Sequence, residues 1–201
     1  MDIKQTMRQI LDAESEAIKN IPVTDQYDKA VEMIVNATAK KHGKLVTSGM
    51  GKAGQIAMNI ATTFSSTGTP AIYLHPSEAQ HGDLGVIQPD DILLLVSNSG
   101  HTREIIELVD LAHKLYPQLP LIVITGKPES RLAKAADACL VTADAAEVCP
   151  LGLTPTTSTT MMTVMGDILV VCVMKAIDFT REDYALRHHG GYLGNLSRKN
   201  K

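Results

Sequence analysis

The 201-residue sequence has no tryptophan, two phenylalanines and five tyrosines, so aromatics make up only 3% of it. Proteins that hold single-stranded nucleic acid stack bases on aromatics set among cations, and no such basic, aromatic-laced stripe occurs here. A formal net charge of −3 likewise argues against general affinity for nucleic acid or an anionic membrane. Cysteine is scarce. Cys139, Cys149 and Cys172 form an odd, unpatterned set, expected as buried free thiols in a reducing compartment rather than as disulfides or a zinc cluster. The start, Met1-Asp2-Ile3-Lys4, carries an acid and leads into no apolar core segment, so no signal peptide and a cytoplasmic location are expected. One apolar stretch, 161–177, has nearly the length of a membrane span, but it contains Asp167 and Lys175 and reads as a buried helix.

Apolar residues make up 44% of the chain and charged ones 20%, which suits one globular domain with a full core. Ile3, Met7, Ile10, Leu11, Ala17 and Ile18 recur at helical spacing, and Pro22 lies just beyond that helix. A second helix is expected over about 25–42, ended by Gly43. Short apolar runs follow at 45–48, 71–74, 92–96, 121–125 and 139–142, separated by helical stretches near 53–67, 103–116 and 130–136. Strands without polar alternation, divided by helices, indicate a parallel sheet covered on both faces. The expected layout is a single domain over 1–201, with N-terminal helices to 42 and an α/β core over 43–178. A long loop spans 143–158 and a helix 156–178, and the tail 179–201, weak in apolar periodicity, should be disordered or docked on something.

In an open parallel sheet, ligands bind beyond the carboxyl ends of the strands. The loop Ser97-Asn98-Ser99-Gly100-His101-Thr102 follows the third run and leads into a helix. Hydroxyls, a glycine and a helix start together suit an anion, although a plain serine cap would use the same residues. Glu104, one turn further, suits acid–base chemistry on the remainder of the ligand. Gly49-Met50-Gly51-Lys52-Ala53-Gly54 fits the dinucleotide fingerprint in form, but Leu74-His75-Pro76 ends the next run where a ribose-binding acid belongs. Lys52 lies inside the glycine run with no Ser or Thr after it, which excludes a P-loop. A cation at a helix start opposes the dipole, so an anion should accompany Lys52. The His75–Asp83 segment has His and acid residues but no zinc spacing, and no metal is expected. The hydroxyl run Thr156–Thr160 can cap a helix or line a polyol pocket.

Taken together these segments resemble the SIS (sugar isomerase) domain family, specifically its arabinose-5-phosphate isomerase type. The resemblance is carried by Gly49–Gly54, by His75-Pro76-x-Glu78-Ala79-x-His81-Gly82-Asp83-Leu84-Gly85 and by Ser97-Asn98-Ser99-Gly100 with Glu104. It extends through Thr125-Gly126-x-Pro128-Glu129-Ser130, Glu147-x-Cys149-Pro150-Leu151-Gly152-Leu153 and His188-x-Gly190-Gly191-x-Leu193-Gly194. It implies an α/β/α three-layer sandwich with a five-stranded parallel sheet (flavodoxin-like) and interconversion of D-ribulose 5-phosphate and D-arabinose 5-phosphate in Kdo formation. It further implies no cofactor and a homotetramer whose sites are shared between subunits, with the tail docked on a neighbour. The family's functional positions correspond to Lys52, Glu104, Glu147 and His188, with His81 a further site histidine. Many relatives continue into paired cystathionine-β-synthase-type domains, and the expectation here is a chain without that pair. His189, Asn195 and His101 depart from the family pattern.

Aldose–ketose exchange needs a base at carbon, stabilisation of an enediolate and a shuttle for hydroxyl protons. Phosphate is assigned to Ser97, Ser99 and Thr102 with Asn98, and to Ser48 and Gly49 beside them. Glu147 is favoured over Glu104 as the carbon base, with its pKa raised by desolvation. His188 opens the ring or shuttles protons, and Lys52 steadies negative charge. A phosphosugar-sensing module, or an isomerase for another phosphosugar, is the alternative.

Overall fold

The five apolar runs form one parallel sheet in the order β2-β1-β3-β4-β5, seen in a computed structural model that describes residues 1–198. The strands are β1 Leu45–Gly49, β2 Ala71–Tyr73, β3 Ile92–Val96, β4 Leu121–Thr125 and β5 Ala138–Val141. Alternate residues of each inner strand feed different cores. Ile92, Leu94 and Val96 face one helical layer, while Leu93 and Leu95 face the other. Both faces are covered, so polar alternation would bury unpaired groups, and the strands read as unbroken apolar runs.

One layer contains α1 (Ile3–Lys19), α2 (Gln26–Val35), α3 (Gly51–Ser66) and α7 (Thr157–Ala176), and the other α5 (Arg103–Leu115) and α6 (Arg131–Ala135). α2 runs on through a π-helical turn, Asn36–Lys40, before Gly43, whose lack of a Cβ lets the backbone of Asp90 approach. The short α4 (Pro76–Ala79) sits after β2. α7 is long and apolar enough by composition to cross a membrane, yet it is a core helix: Met161, Met162, Met165, Leu169 and Val173 are all buried in the layer it shares with α2 and α3. At the opposite rim from the loops of interest, Asp91, only 1% exposed, ties the starts of β1 and β3. It accepts from the Lys44 backbone N–H at 2.8 Å, the Gln88 N–H at 2.7 Å and the Lys44 ammonium at 2.6 Å.

One expectation, on the tail, becomes more specific, and one, on the cysteines, needs correction. The tail is ordered on its own chain: α8 (Arg181–Arg187) starts in a reciprocal Thr180–Asp183 capping box, and α9 (Gly191–Arg198) folds back on it. Arg181 donates to the Leu196 and Ser197 carbonyls, and Arg198 to those of His188 and His189. Polar capping and arginine–carbonyl bonds, rather than an apolar stripe, build this segment, so hydrophobic periodicity gave no sign of it. Residues 199–201 of the expected tail lie outside the described residues. The three cysteines, expected buried, are half-exposed free thiols.

Candidate active site

The strand order reverses direction between β1 and β3, and the loops leaving those two strands meet there. Each leads into a helix whose first N–H groups have no side-chain cap: Met50 before α3, Thr102 before α5. A cavity of about 370 Å³ lies at this point, lined by Met50, Lys52, Ser97, Asn98, Ser99 and Thr102, with Lys127, Pro155, Ser158, Thr159 and Met162 completing the wall. Two uncapped helix starts and a run of hydroxyls facing one cavity are chemically suited to an anion.

The hydroxyl loop is held by its own bonds and by the next strand. Ser97 Oγ and Thr102 Oγ1 share a hydrogen bond at 2.8 Å, which uses one of their two protons and leaves the other for a ligand. The His101 N–H donates to Ser99 Oγ at 3.2 Å. Gly100 has φ +61°, and a Cβ there would collide with the Ser130 side chain, so only glycine lets the loop turn against β4's connection. Lys52 is exposed in the first turn of α3 and makes no ion pair among the described residues.

Ser48 and Gly49 shape this site from beneath rather than line it. The Ser48 hydroxyl is buried and donates to the Leu74 carbonyl at 2.6 Å, while the Gly49 carbonyl accepts from the Tyr73 hydroxyl at 2.9 Å. Both groups are engaged in joining β1 to β2.

Glu147 stands behind the cavity wall. Its carboxylate accepts from the Thr156 N–H at 2.7 Å, the Thr156 hydroxyl at 2.9 Å and the Ser158 N–H at 3.3 Å, and from the Ser158 hydroxyl as well. It caps the start of α7, the third helix to begin here. Burial pushes the carboxyl pKa up, but the bonds from Ser158 and Thr156 outweigh it and the net shift is downward. The sequence expectation was a raised pKa. The correction has a plain cause: four donors, two of them helix N–H groups, favour the charged form.

The remaining residues are spread out. Glu104 is half-buried in the first turn of α5, beside the hydroxyl loop but not on the cavity wall. His81 is exposed after α4, with its N–H on the Glu78 carbonyl at 2.9 Å. His188 stacks on Tyr184, ring centroids 3.7 Å apart, with Nδ1 3.0 Å from the Tyr184 carbonyl oxygen. It lines a different hollow, between β2 and the C-terminal half of α3. One chain therefore does not bring His188 to Lys52. Lys127 and Met162 were missed by the sequence reading. For Lys127 a signal existed: a lysine two residues past the end of β4, at the same rim as the other loops.

The profile of the SIS domain family matches residues 39–172. This chain belongs to the SIS domain family. It is 46% identical over 196 residues to the arabinose 5-phosphate isomerase KdsD of Yersinia pestis, an alignment covering 96% of this chain and 58% of that protein. The chain thus spans under two thirds of the length of the curated relatives it matches. Among solved structures, a Bacteroides fragilis protein described as a phosphosugar isomerase involved in capsule formation superposes with a TM-score of 0.93 at 65% identity, covering 94% of this chain and 99% of that one. A protein from E. coli CFT073, solved in complex with arabinose 5-phosphate, superposes with a TM-score of 0.82 at 36% identity, over 92% of this chain and 95% of that one.

Proposed function

We propose that this SIS domain is an aldose–ketose isomerase that interconverts D-ribulose 5-phosphate and D-arabinose 5-phosphate and supplies Kdo synthesis in the cytoplasm. The observation that carries the reading is the cavity at the β1/β3 switch point, where two uncapped helix starts, the Ser97–Thr102 hydroxyls and Lys52 face one space. The similarity to KdsD and to the E. coli protein solved with arabinose 5-phosphate supports the choice of sugar.

The phosphate occupies the hydroxyl loop and the start of α5. The open-chain sugar extends from it along Met50, Met162 and Pro155, whose apolar surfaces suit its carbon face. A base removes the proton from C2 of the aldose while O1 gains a proton, giving an enediol. C1 is then protonated and O2 loses its proton, leaving the ketose. Both carbons change oxidation level within one molecule, so the exchange is balanced without a redox cofactor. We assign the carbon base to Glu104, whose carboxylate accepts no hydrogen bond among the described residues, whereas the Glu147 carboxylate is committed to α7. Lys52 faces the enediolate oxygen. His188, which lines a different hollow on its own chain, reaches the site from a neighbouring subunit of a homotetramer and moves hydroxyl protons or opens the ring.

The test is a coupled assay against pentose, hexose and heptose phosphates, with proton NMR in deuterated water. Exchange at C1 or C2 of the pentose 5-phosphates alone is the expected outcome. Glu104→Gln should lower exchange by about 10²-fold or more while the ligand still raises the melting temperature. Phosphosugar binding without exchange in the wild type would instead mark a sensing module.

A further inference from the structure

We propose that Lys127 is the residue that selects for the phosphate ester, acting as a second cation beside the hydroxyl loop; the inference rests on the phosphosugar reading above. The backbone of Lys127 is tied to that loop. The Gly126 N–H donates to the Asn98 carbonyl at 3.0 Å, and the Thr125 hydroxyl donates to the same oxygen at 3.3 Å. The Lys127 N–H donates to Thr125 Oγ1 at 3.2 Å, and its carbonyl accepts from the Ser130 N–H at 3.1 Å. A Cβ on Gly126 would strike the Asn98 side chain, so the loops after β3 and β4 pack closely against each other. This interlock holds Lys127 in fixed relation to Ser97, Ser99 and Thr102.

Lys127 lines the same cavity as Lys52, and no Asp or Glu is among the residues that line it. Neither ammonium has a carboxylate partner among the described residues, although Lys134, seven positions along, pairs with Glu129 at 3.5 Å. Two like charges on one cavity repel until an anion enters between them. A phosphate monoester carries nearly two negative charges near neutral pH and relieves both. Sugar hydroxyls carry none, so Lys127 responds to the ester and not to the carbon chain. The phosphate is unchanged between substrate and transition state, so this interaction acts on binding and not on the chemical step.

Lys127→Ala, Lys127→Arg and the control Lys134→Ala are compared in the isomerase assay, with inorganic phosphate as the inhibitor. Lys127→Ala should raise KM for the phosphosugar by about 10- to 100-fold, the worth of one charge-assisted hydrogen bond, and weaken inhibition by phosphate by a similar factor. Its kcat should stay within about twofold of wild type. Lys127→Arg should restore most of both constants, and Lys134→Ala should change neither. An unchanged KM and phosphate inhibition in Lys127→Ala, or a loss confined to kcat, overturns the assignment. A wild type that turns over no phosphosugar, yet gains a higher melting temperature with phosphate that Lys127→Ala lacks, would defeat the isomerase reading and keep this one.

Discussion

The Ser158 hydroxyl and N–H both donate to the carboxylate of Glu147, eleven residues earlier in the chain. That pairing fastens the loop after β5 onto the start of α7 and so fixes the cavity wall that Ser158 and Thr159 provide. It also caps the start of α7 with the Glu147 carboxylate.

A cap of this kind has a pH signature. Glu147 is more acidic in the folded chain than its ordinary value of 4.5, so the unfolded chain takes up the proton more readily. Its stabilising contribution is present in full above that ordinary value and fades as pH falls through the lower, folded value. Urea unfolding at a series of pH values should show wild-type stability declining on acidification, with a shallower decline in Glu147→Gln. At neutral pH, Glu147→Ala should cost about 1 to 2 kcal/mol, as the loss of a helix cap does. Parallel pH curves for wild type and Glu147→Gln would remove the capping role.

The Lys44–Asp91 clamp should matter for stability alone. Asp91→Ala leaves the partly buried N–H groups of Lys44 and Gln88 without their acceptor and the ammonium without its partner. The expected loss is about 3 kcal/mol in urea unfolding. Because the clamp lies at the rim of the sheet away from the cavity, kcat should be unchanged below the lowered melting temperature. A variant as stable as wild type would contradict the account.

Site sharing between subunits is open to complementation. Glu104→Gln and His188→Ala protomers should each be inactive as pure proteins. Reassembled together, they should form mixed oligomers in which some cavities hold an intact Glu104 and an intact partner histidine, and activity should return. Mixtures as inactive as the parents would mean that His188 serves its own chain.

Cys149 should be the reactive thiol. The Thr154 hydroxyl, then the backbone N–H groups of Thr154 and Leu153, at 3.1 and 3.3 Å from Sγ, stabilise its thiolate and bring its pKa down to about 7. Burial moves Cys139 the opposite way, above its ordinary value of 9.0. Iodoacetamide labelling followed by peptide mass spectrometry should find Cys149 modified at least about tenfold faster than Cys139 at neutral pH, with a midpoint near pH 7. Equal rates at the two positions would show that the N–H groups around Cys149 do not act on its sulfur.

The readable parts of this protein were those governed by neighbours in sequence. The run Ile92–Val96 announces a strand buried on both faces, and Ser97–Thr102 announces a loop rich in donors at a helix start, because each depends on residues a few positions apart. What the Ser48 hydroxyl bonds to was illegible for the converse reason: its partner, the Leu74 carbonyl, is 26 residues away. Lys127 follows β4 at the rim where the other loops gather, but its place against Asn98 depends on β4 lying beside β3, which no adjacent residue records.

Strand and helix alternation, the five-stranded parallel sheet and the hydroxyl-rich loop before α5 were determined by the chain's own order of apolar and polar residues, since burial on two faces or at a helix start imposes a short-range pattern. Tertiary structure alone decided that Glu147 closes α7 with a lowered pKa, that Lys52 and Lys127 face one cavity, and that His188 lies elsewhere on its own chain. Those outcomes depend on which distant groups come within hydrogen-bond and Coulomb reach, and packing sets that distance.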